Sequence, residues 1–170
     1  NGAAWITIPV KSKGKSNQLL KDVEILYEGN KSPLKKVLHT INQNYSNTEY
    51  FNVFSKNLSK ILNEDHTSLA HLNITLIKEI CNTLGISERF TLASDLSSTG
   101  NKDKLLFNIC KEVGATKYIS PLGAQNYLKK STCFQSEGIT VEYMDYKHPE
   151  YSQKYGKFLP YMSIIDLIFN

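Results

Sequence analysis

The sequence has one arginine, one tryptophan and three cysteines in its 170 residues. The single arginine, Arg89, argues against nucleic-acid binding, because that function usually shows arginines interleaved with aromatic residues. The cysteines, Cys81, Cys110 and Cys133, are widely spaced and odd in number. This spacing fits reduced thiols better than a disulfide framework or a CxxC metal site. We therefore expect a cytoplasmic protein without a metal site, and the residues identify no cofactor.

Long apolar runs are also absent, since none approaches the roughly 20 residues that a membrane-spanning helix needs. The chain opens without a charged and then apolar leader, so we predict no signal peptide. It also lacks a starting methionine, and we expect an upstream part of a longer protein to precede it. A length of 170 residues with 41% hydrophobic residues predicts one soluble domain with one core.

The net charge of +4 comes mainly from lysines near the start of the chain. They are Lys11, Lys13, Lys15, Lys21, Lys31, Lys35 and Lys36. One interpretation is that they are solvated side chains on loops and a helix face, which is the more common case. The other is a site for phosphates or a nucleotide sugar. Both remain open from the sequence alone.

The first half of the chain predicts a β-hairpin (1–31) followed by three helices (32–85). Two alternating, β-branched segments, 5–10 and 23–27, predict the strands of the hairpin. Ser32 and Pro33 have the residue types of a helix start, and Gly85 has that of a helix stop. Apolar residues at helical spacing predict helices over 33–45, 51–62 and 69–84.

The second half (86–170) alternates strand and helix. Strands are predicted at 90–93, 118–120 and 139–143, and helices at 104–113, 123–128 and from Pro160 onward. This order predicts an α/β protein with right-handed βαβ crossovers and a parallel sheet. We treat residues 1–170 as one α/β domain.

Ligands of parallel sheets lie beyond the carboxyl ends of the strands, and two loops there are candidates for phosphate binding. The first offers hydroxyls, a glycine, a lysine and free amides at a helix start. Its residues are Ser97, Ser98, Gly100 and Lys102. The second contains Ser120 and Gly123, a turn that permits close backbone approach. An ordinary capped loop and a tight strand-to-helix turn are the alternatives.

The end of the chain carries the catalytic candidates. His148 follows a strand, and its usual pKa near 6.5 suits a general base, although a lone histidine is more often structural. Asp166 lies in an apolar segment, so it must be paired or hydrogen-bonded. If Pro160 opens a helix, Ser163 and Asp166 share a face. In that arrangement they either position a substrate hydroxyl or amine, or accept hydrogen bonds from the backbone amides of a loop. No catalytic triad, HExxH or GxSxG pattern is present.

These segments, taken in order over the whole chain, resemble the WbqC-like family of bacterial O-antigen gene clusters. The most specific match is the final run, with His148-Pro149-x-Tyr151 and Phe158-x-Pro160-Tyr161-x-Ser163 through Asp166 to Asn170. Further matches lie at 5–11, 41–51, 72–86, 94–96, 109–120 and 123–128. One departure concerns the first helix, where relatives tend to have a tryptophan and a histidine and this chain has Pro33 and Val37.

The resemblance implies a three-layer Rossmann-like fold whose first βα unit is missing from this chain. It also implies a role in surface-polysaccharide (lipopolysaccharide) biosynthesis, as a transferase that modifies a nucleotide-linked amino sugar by acyl or aminoacyl transfer. The alternative is a non-catalytic binding or assembly component.

For the transferase, His148, Asp166 and Ser163 are the predicted catalytic residues. Lys11 and Tyr151 join the two loops as predicted binding residues. The partner is then a nucleotide sugar or glycan precursor.

Overall fold

The computed structural model describes residues 2–29, 31–87, 89–129, 131 and 133–170, with only the backbone at Gln135. The chain forms two compact units. The first unit is Asn1–Glu88 with His148–Asn170, and the second unit is Arg89–Lys147. Among the described residues, no helix combines the length and the apolar character that crossing a membrane requires.

The first unit contains the three predicted helices. They are α1 (Pro33–Tyr45), α2 (Phe51–Asn63) and α3 (Leu69–Thr83). Pro33 occupies the first turn of α1, where a missing N–H costs nothing. Ser68 caps α3, and its side chain accepts a hydrogen bond from the backbone N–H of His71 at 3.2 Å. The predicted helices are therefore confirmed to within one or two residues.

The core of the first unit lies between these helices and the end of the chain. The apolar stripes of α1 and α2 pack together, as expected for amphipathic helices. Ile25, Leu72, Ile168 and Phe169 complete this core. Its helical members are Leu34, Val37, Leu38, Ile41, Phe54, Leu58, Ile61 and Leu62.

The predicted hairpin forms only in part. Val10 and Ile25 make a single antiparallel bridge, and Leu26 N–H donates to the Pro9 carbonyl at 2.9 Å. The segment around Ile25 also pairs with the start of α3, since Ile25 N–H donates to Thr67 O at 2.8 Å. The prediction of two regular strands is wrong, because the second segment divides its hydrogen bonds between two neighbours and Pro9 has no N–H.

The second unit contains a two-stranded parallel sheet. Its elements are α4 (Lys102–Glu112), β1 (Lys117–Pro121), α5 (Gln125–Leu128), α6 (Cys133–Ser136) and β2 (Thr140–Met144). Lys117 pairs with Thr140 at one end of the register. Cys110, Leu128, Phe134 and Ile139 are buried in this unit's own core. The parallel pairing supports the α/β class, and α6 is a helix that the sequence did not predict.

Two predicted elements of the second half are wrong. Residues 90–93 form no strand, and a short 3₁₀ helix, Ala93–Asp95, follows instead. Phe90 and Leu92 are exposed, so this run buries too little to hold a strand in place. Pro160 does not open a helix, because Tyr161 adopts φ 60° in a turn. The last helix, α7 (Ile164–Phe169), belongs to the first unit and begins after Ser163.

Candidate functional site

The short helix α7 places a carboxylate inside the first unit. Ser163 is the N-cap of α7, and its hydroxyl accepts a hydrogen bond from Ile165 N–H at 3.3 Å. Asp166 N–H donates to the Ser163 carbonyl at 2.8 Å. Ser163 therefore acts here as the cap that sets the start of the helix. Phe169 is completely buried, and Asp166, three residues earlier on the same face, is only 6% exposed.

Four side chains donate hydrogen bonds to the Asp166 carboxylate. At Oδ1, the donors are the Tyr45 hydroxyl at 2.7 Å and the Asn170 amide at 3.3 Å. At Oδ2, they are the Tyr151 hydroxyl at 2.7 Å and the Gln153 amide at 2.9 Å. A carboxylate offers about four acceptor positions, so both oxygens are fully used. This answers the requirement that a buried acid be hydrogen-bonded.

The same residues fix the segment that precedes α7. Gln153 makes two bonds with Leu159, since its Nε2 donates to the carbonyl at 3.0 Å and its Oε1 accepts from the N–H at 2.8 Å. Lys154 N–H donates to Asn170 Oδ1 at 2.9 Å. We use the name Asp166 cluster for Asp166, Tyr45, Tyr151, Gln153 and Asn170. Gln153 and Asn170 thus bind both Asp166 and the backbone of residues 151–159.

Tyr45 carries a perturbed hydroxyl in this cluster. Burial, followed by the hydrogen bond to Asp166, raises the pKa of Tyr45 well above its usual range. The hydroxyl therefore stays protonated throughout the physiological pH range. Because its proton is directed at Asp166, its remaining lone pair can only accept a hydrogen bond from a ligand.

A cavity of about 350 Å³ opens beside the Asp166 cluster. Its polar wall combines amides, hydroxyls and the carboxylate, and its apolar wall includes Ile6, Leu159 and Met162. This volume lies at the lower end of the range of small-molecule pockets. The polar lining residues are Thr40, Gln43, Asn44, Tyr45, Gln153, Lys154, Tyr155, Asp166 and Asn170.

His148 lies in an aromatic cluster of the first unit and is not among the residues that line this cavity. Its ring centroid is 6.1 Å from Tyr151, 5.8 Å from Phe158 and 5.0 Å from Tyr161. Nδ1 lies 2.8 Å from the carbonyl oxygen of Pro149. A carbonyl only accepts, so this contact assigns the proton of the neutral ring to Nδ1 and leaves Nε2 as the basic nitrogen.

Lys11 is engaged within the protein. Its Nζ lies 2.6 Å from Glu24, and Lys15 lies 3.2 Å from the same carboxylate. Hydrogen bonds from Lys11 and Lys15 lower the pKa of Glu24. A phosphate that bound Lys11 would have to compete with this ion pair.

The loop proposed for phosphate binding in the second unit holds a carboxylate of its own. Ser97 donates to Glu112 Oε1 through its N–H at 2.8 Å and its hydroxyl at 2.9 Å, and the Ser98 hydroxyl donates to Oε2. These bonds, first that from Ser98, lower the pKa of Glu112. Gly100, with φ 129°, and Lys102, with φ 51°, complete a tight turn into α4. Of the donors expected to bind phosphate, the Ser97 amide and the hydroxyls of Ser97 and Ser98 are therefore occupied by Glu112.

Replacing Glu112 with alanine should release this loop. The Ser97 amide loses its acceptor, so we expect its hydrogen exchange to become several-fold faster while the sheet amides are unchanged. Hydrogen exchange followed by NMR measures both. Glu137→Ala, which removes an exposed carboxylate of the same unit paired with Lys111 at 3.1 Å, is the matched control. Equal exchange at Ser97 in the two variants would contradict the role given to Glu112.

In the other predicted loop, no other part of the protein approaches Gly123 closely. Ser120 is fully buried on β1, and its hydroxyl lies 3.4 Å from the Pro121 carbonyl. A Cβ added at Gly123 would meet no atom within 4 Å. Contacts in this structure therefore do not require a glycine at this position.

The predicted site residues divide between the two units. Tyr151 and Asp166 are in direct contact in the first unit, where Lys11, His148 and Ser163 also lie. Sequence reasoning missed Tyr45, Gln153 and Asn170 as partners of Asp166. The available signal was the hydroxyl of Tyr45 at the end of the α1 stripe, together with the need of a buried acid for donors. The residues of the second unit are Ser97, Ser98, Gly100, Lys102, Ser120 and Gly123.

Within the described parts of the chain, no group of three or more histidine, cysteine, aspartate or glutamate side chains is placed to hold a metal ion. Cys81, Cys110 and Cys133 are free thiols. Around Asp166 the first unit offers hydrogen bonding by amides, hydroxyls and a carboxylate, and His148 lies in the same unit.

Comparison with known proteins gives the relationship of the chain. A protein of Mycobacterium tuberculosis (strain ATCC 25618 / H37Rv), described as Uncharacterized protein Rv1507c, is 36% identical over 171 residues. That alignment covers 99% of this chain and 72% of the relative. No solved structure matches the chain. The model of the WbqC-like protein family matches residues 1–170, the whole chain. The chain therefore belongs to the WbqC-like protein family.

Proposed function

We propose that the protein is a transferase of bacterial surface-polysaccharide biosynthesis that modifies a nucleotide-linked amino sugar by acyl or aminoacyl transfer. The observation that carries this proposal is the cavity beside the Asp166 cluster. Family membership supports it through the role that the WbqC-like resemblance implies.

The cavity has the chemistry that a sugar ring requires. Sugar hydroxyls both donate and accept hydrogen bonds, and amides such as Gln43 and Asn44 can do both in return. Tyr155 adds an aromatic face with a polar tip, which suits the mixed polarity of a sugar. The hydrogen bonds of Asp166 fix the wall behind these groups. Such a supported wall lowers the cost of ordering the site on binding.

The Asp166 cluster has a positioning role in this proposal. All four acceptor positions of the carboxylate are filled, so Asp166 can take a substrate proton only if a donor leaves first. It therefore holds Tyr45, Tyr151 and Gln153 in place. We assign the general base to His148, whose ring lies 6.1 Å from that of Tyr151. Its Nε2 would accept a proton from the sugar amine as the amine attacks the acyl carbonyl of the donor. The new amide bond replaces the bond to the leaving group, which for an acyl-coenzyme A is the thiolate, and the leaving group takes up the proton as it departs.

We also infer a three-layer Rossmann-like arrangement and a cytoplasmic location. The parallel β1–β2 pairing supports the former, and the free thiols of Cys81, Cys110 and Cys133 are consistent with the latter.

The test of this proposal is product formation by the intact protein. The protein is incubated with UDP- or dTDP-linked amino sugars and an acyl-coenzyme A or aminoacyl donor, and mass spectrometry looks for the mass of the acylated sugar nucleotide. We expect product from the unmodified protein and a loss of about 100-fold or more in His148→Ala, the usual scale for a general base. His39→Ala, at an exposed position of α1, is the control. Unchanged product formation in His148→Ala would exclude His148 as the base.

A non-catalytic binding component of a polysaccharide assembly complex is the second candidate. His148, the proposed base, is not among the residues that line the cavity, and this favours a site that binds a sugar without transferring a proton. This candidate predicts that a sugar nucleotide raises the melting temperature of the protein, while no acylated product appears with any donor of the panel. Product formation would exclude it.

A further inference from the structure

A second and larger cavity, of about 860 Å³, lies in the first unit at the start of α1. Trp5, Thr7 and Pro9 line one part of it, and residues 31–40 supply much of the rest. Ile6 and Thr40 line both this cavity and the one beside Asp166. The two cavities therefore adjoin along α1. We call the larger one the lysine cavity.

The lysine cavity carries unpaired positive charge. Lys31, Lys35 and Lys36 line it and are exposed. None of these three side chains forms an ion pair or hydrogen bond with another residue that the structure describes. Lys11 and Lys15 differ in this respect, since both form ion pairs with Glu24. Glu28 is the one acid among the lining residues, so the lining keeps an excess of two positive charges (three lysines minus one glutamate).

The same cavity presents the only tryptophan of the chain to solvent. Trp5 is 98% exposed, which is unusual for a large aromatic side chain. An exposed indole offers a flat face on which a planar base can stack, and such stacking tolerates any base. Amines for phosphates and an aromatic plane for a base thus line one cavity.

A polar stripe on α1 connects the lysine cavity with the Asp166 cavity. Lys36, Thr40 and Asn44 follow one another at i, i+4 spacing and share a face. The Thr40 hydroxyl donates to the Lys36 carbonyl at 3.0 Å, and the Asn44 amide donates to the Thr40 carbonyl at 2.7 Å. From Lys36 to Asn44 the helix rises by about 12 Å, at roughly 1.5 Å per residue.

We propose that the lysine cavity binds the nucleoside diphosphate half of a nucleotide sugar. The base stacks on Trp5, the diphosphate lies against Lys31, Lys35 and Lys36, and the sugar continues past Thr40 into the Asp166 cavity. This inference rests on the proposed function, because it takes the sugar site as given. It places the phosphates in the first unit and not at the loop of the second unit, where Ser97 and Ser98 bind Glu112.

The single tryptophan makes the inference directly measurable. Trp5 fluorescence, excited where tyrosine does not absorb, is followed while UDP, dTDP, GDP, one sugar nucleotide of each and free N-acetylglucosamine are added. A free tryptophan derivative titrated in parallel corrects for absorption by the bases. We expect saturable quenching by at least one nucleoside diphosphate and by its sugar nucleotide, and none by the free sugar.

The lysines are tested by the double variant Lys35→Gln, Lys36→Gln, with Lys56→Gln on the exposed face of α2 as the matched control. We expect the double variant to weaken the affinity for the nucleoside diphosphate about tenfold or more, and the control to leave it unchanged. Unchanged melting temperatures confirm that the variants fold. Equal affinity in the double variant and the control would overturn the inference, as would the absence of saturable quenching by every diphosphate of the panel.

Failure of this inference differs from failure of the proposed function. If acylated product forms with unchanged KM in the lysine double variant, the lysine cavity is not the nucleotide site and the transferase stands. If a nucleoside diphosphate binds in a lysine-dependent way but no product forms, the inference stands and the transferase fails.

Discussion

Replacing Asp166 with asparagine is expected to lower the free energy of unfolding by about 2–4 kcal/mol. The side chain keeps its size, but it loses its charge, and one of its acceptor atoms becomes a donor. That amide then faces a pair of groups that also donate, either Tyr45 and Asn170 or Tyr151 and Gln153. Buried donors without an acceptor carry the full desolvation penalty. Urea denaturation followed by circular dichroism measures the change.

Two further variants identify the source of that loss. Asp65→Asn removes an exposed carboxylate of the same unit and should change the stability by less than about 0.5 kcal/mol. Tyr45→Phe removes one of the four donors to Asp166 and should cost about 1 kcal/mol, since three donors remain. If Asp166→Asn unfolded at the same urea concentration as Asp65→Asn, the Asp166 cluster would not stabilise the fold.

Replacing Phe169 with alanine should destabilise the first unit by about 3–5 kcal/mol. The ring is completely buried, and its centroid lies 5.4 Å from Tyr45, 5.2 Å from Phe51 and 6.2 Å from Phe54. Its removal leaves a cavity between α1, α2 and α7. The same loss frees the helix that carries Asp166, so sugar-nucleotide binding should weaken as well.

Leu167→Ala is the control for this prediction. Leu167 lies two residues earlier on α7 and is 44% exposed, so its truncation should cost less than about 1 kcal/mol. Thermal unfolding of both variants in one buffer gives the comparison. A loss below about 1 kcal/mol for Phe169→Ala would show that α7 is not anchored by this ring.

The sequence predicted the helices of the first unit well, because each has an apolar stripe and two of them have a recognisable start. Ser32 with Pro33 precedes α1, and Ser68 caps α3. The hairpin was harder to predict, since the segment at Ile25 makes bonds both to Pro9 and its neighbours and to Thr67. Local alternation indicates an extended segment but does not tell how its hydrogen bonds are divided. The end of the chain shows the same limit, because Pro160 looked like a helix start and lies in a turn.

The need of Asp166 for partners was predictable from its apolar surroundings, and the identity of those partners was not. Tyr45 lies 121 residues away in the sequence, and only the packing of α7 against α1 and α2 brings it to the carboxylate. Similarly, Ser97 and Ser98 had the residue types of a phosphate loop. Their contact with Glu112, at the far end of α4, depends on the length of that helix. The prediction that residues 1–170 form one domain stays a prediction.

The central claim is that the cavity beside Asp166 holds the sugar of a nucleotide-linked amino sugar. The most direct test is calorimetric titration of the sugar nucleotide and of the matching nucleoside diphosphate into Asn44→Ala and Asn42→Ala. Both positions are exposed on α1, and only Asn44 lines the cavity. We predict that Asn44→Ala weakens the affinity for the sugar nucleotide about tenfold and leaves the affinity for the diphosphate unchanged, while Asn42→Ala alters neither. Equal affinities of the two variants for the sugar nucleotide would contradict the claim.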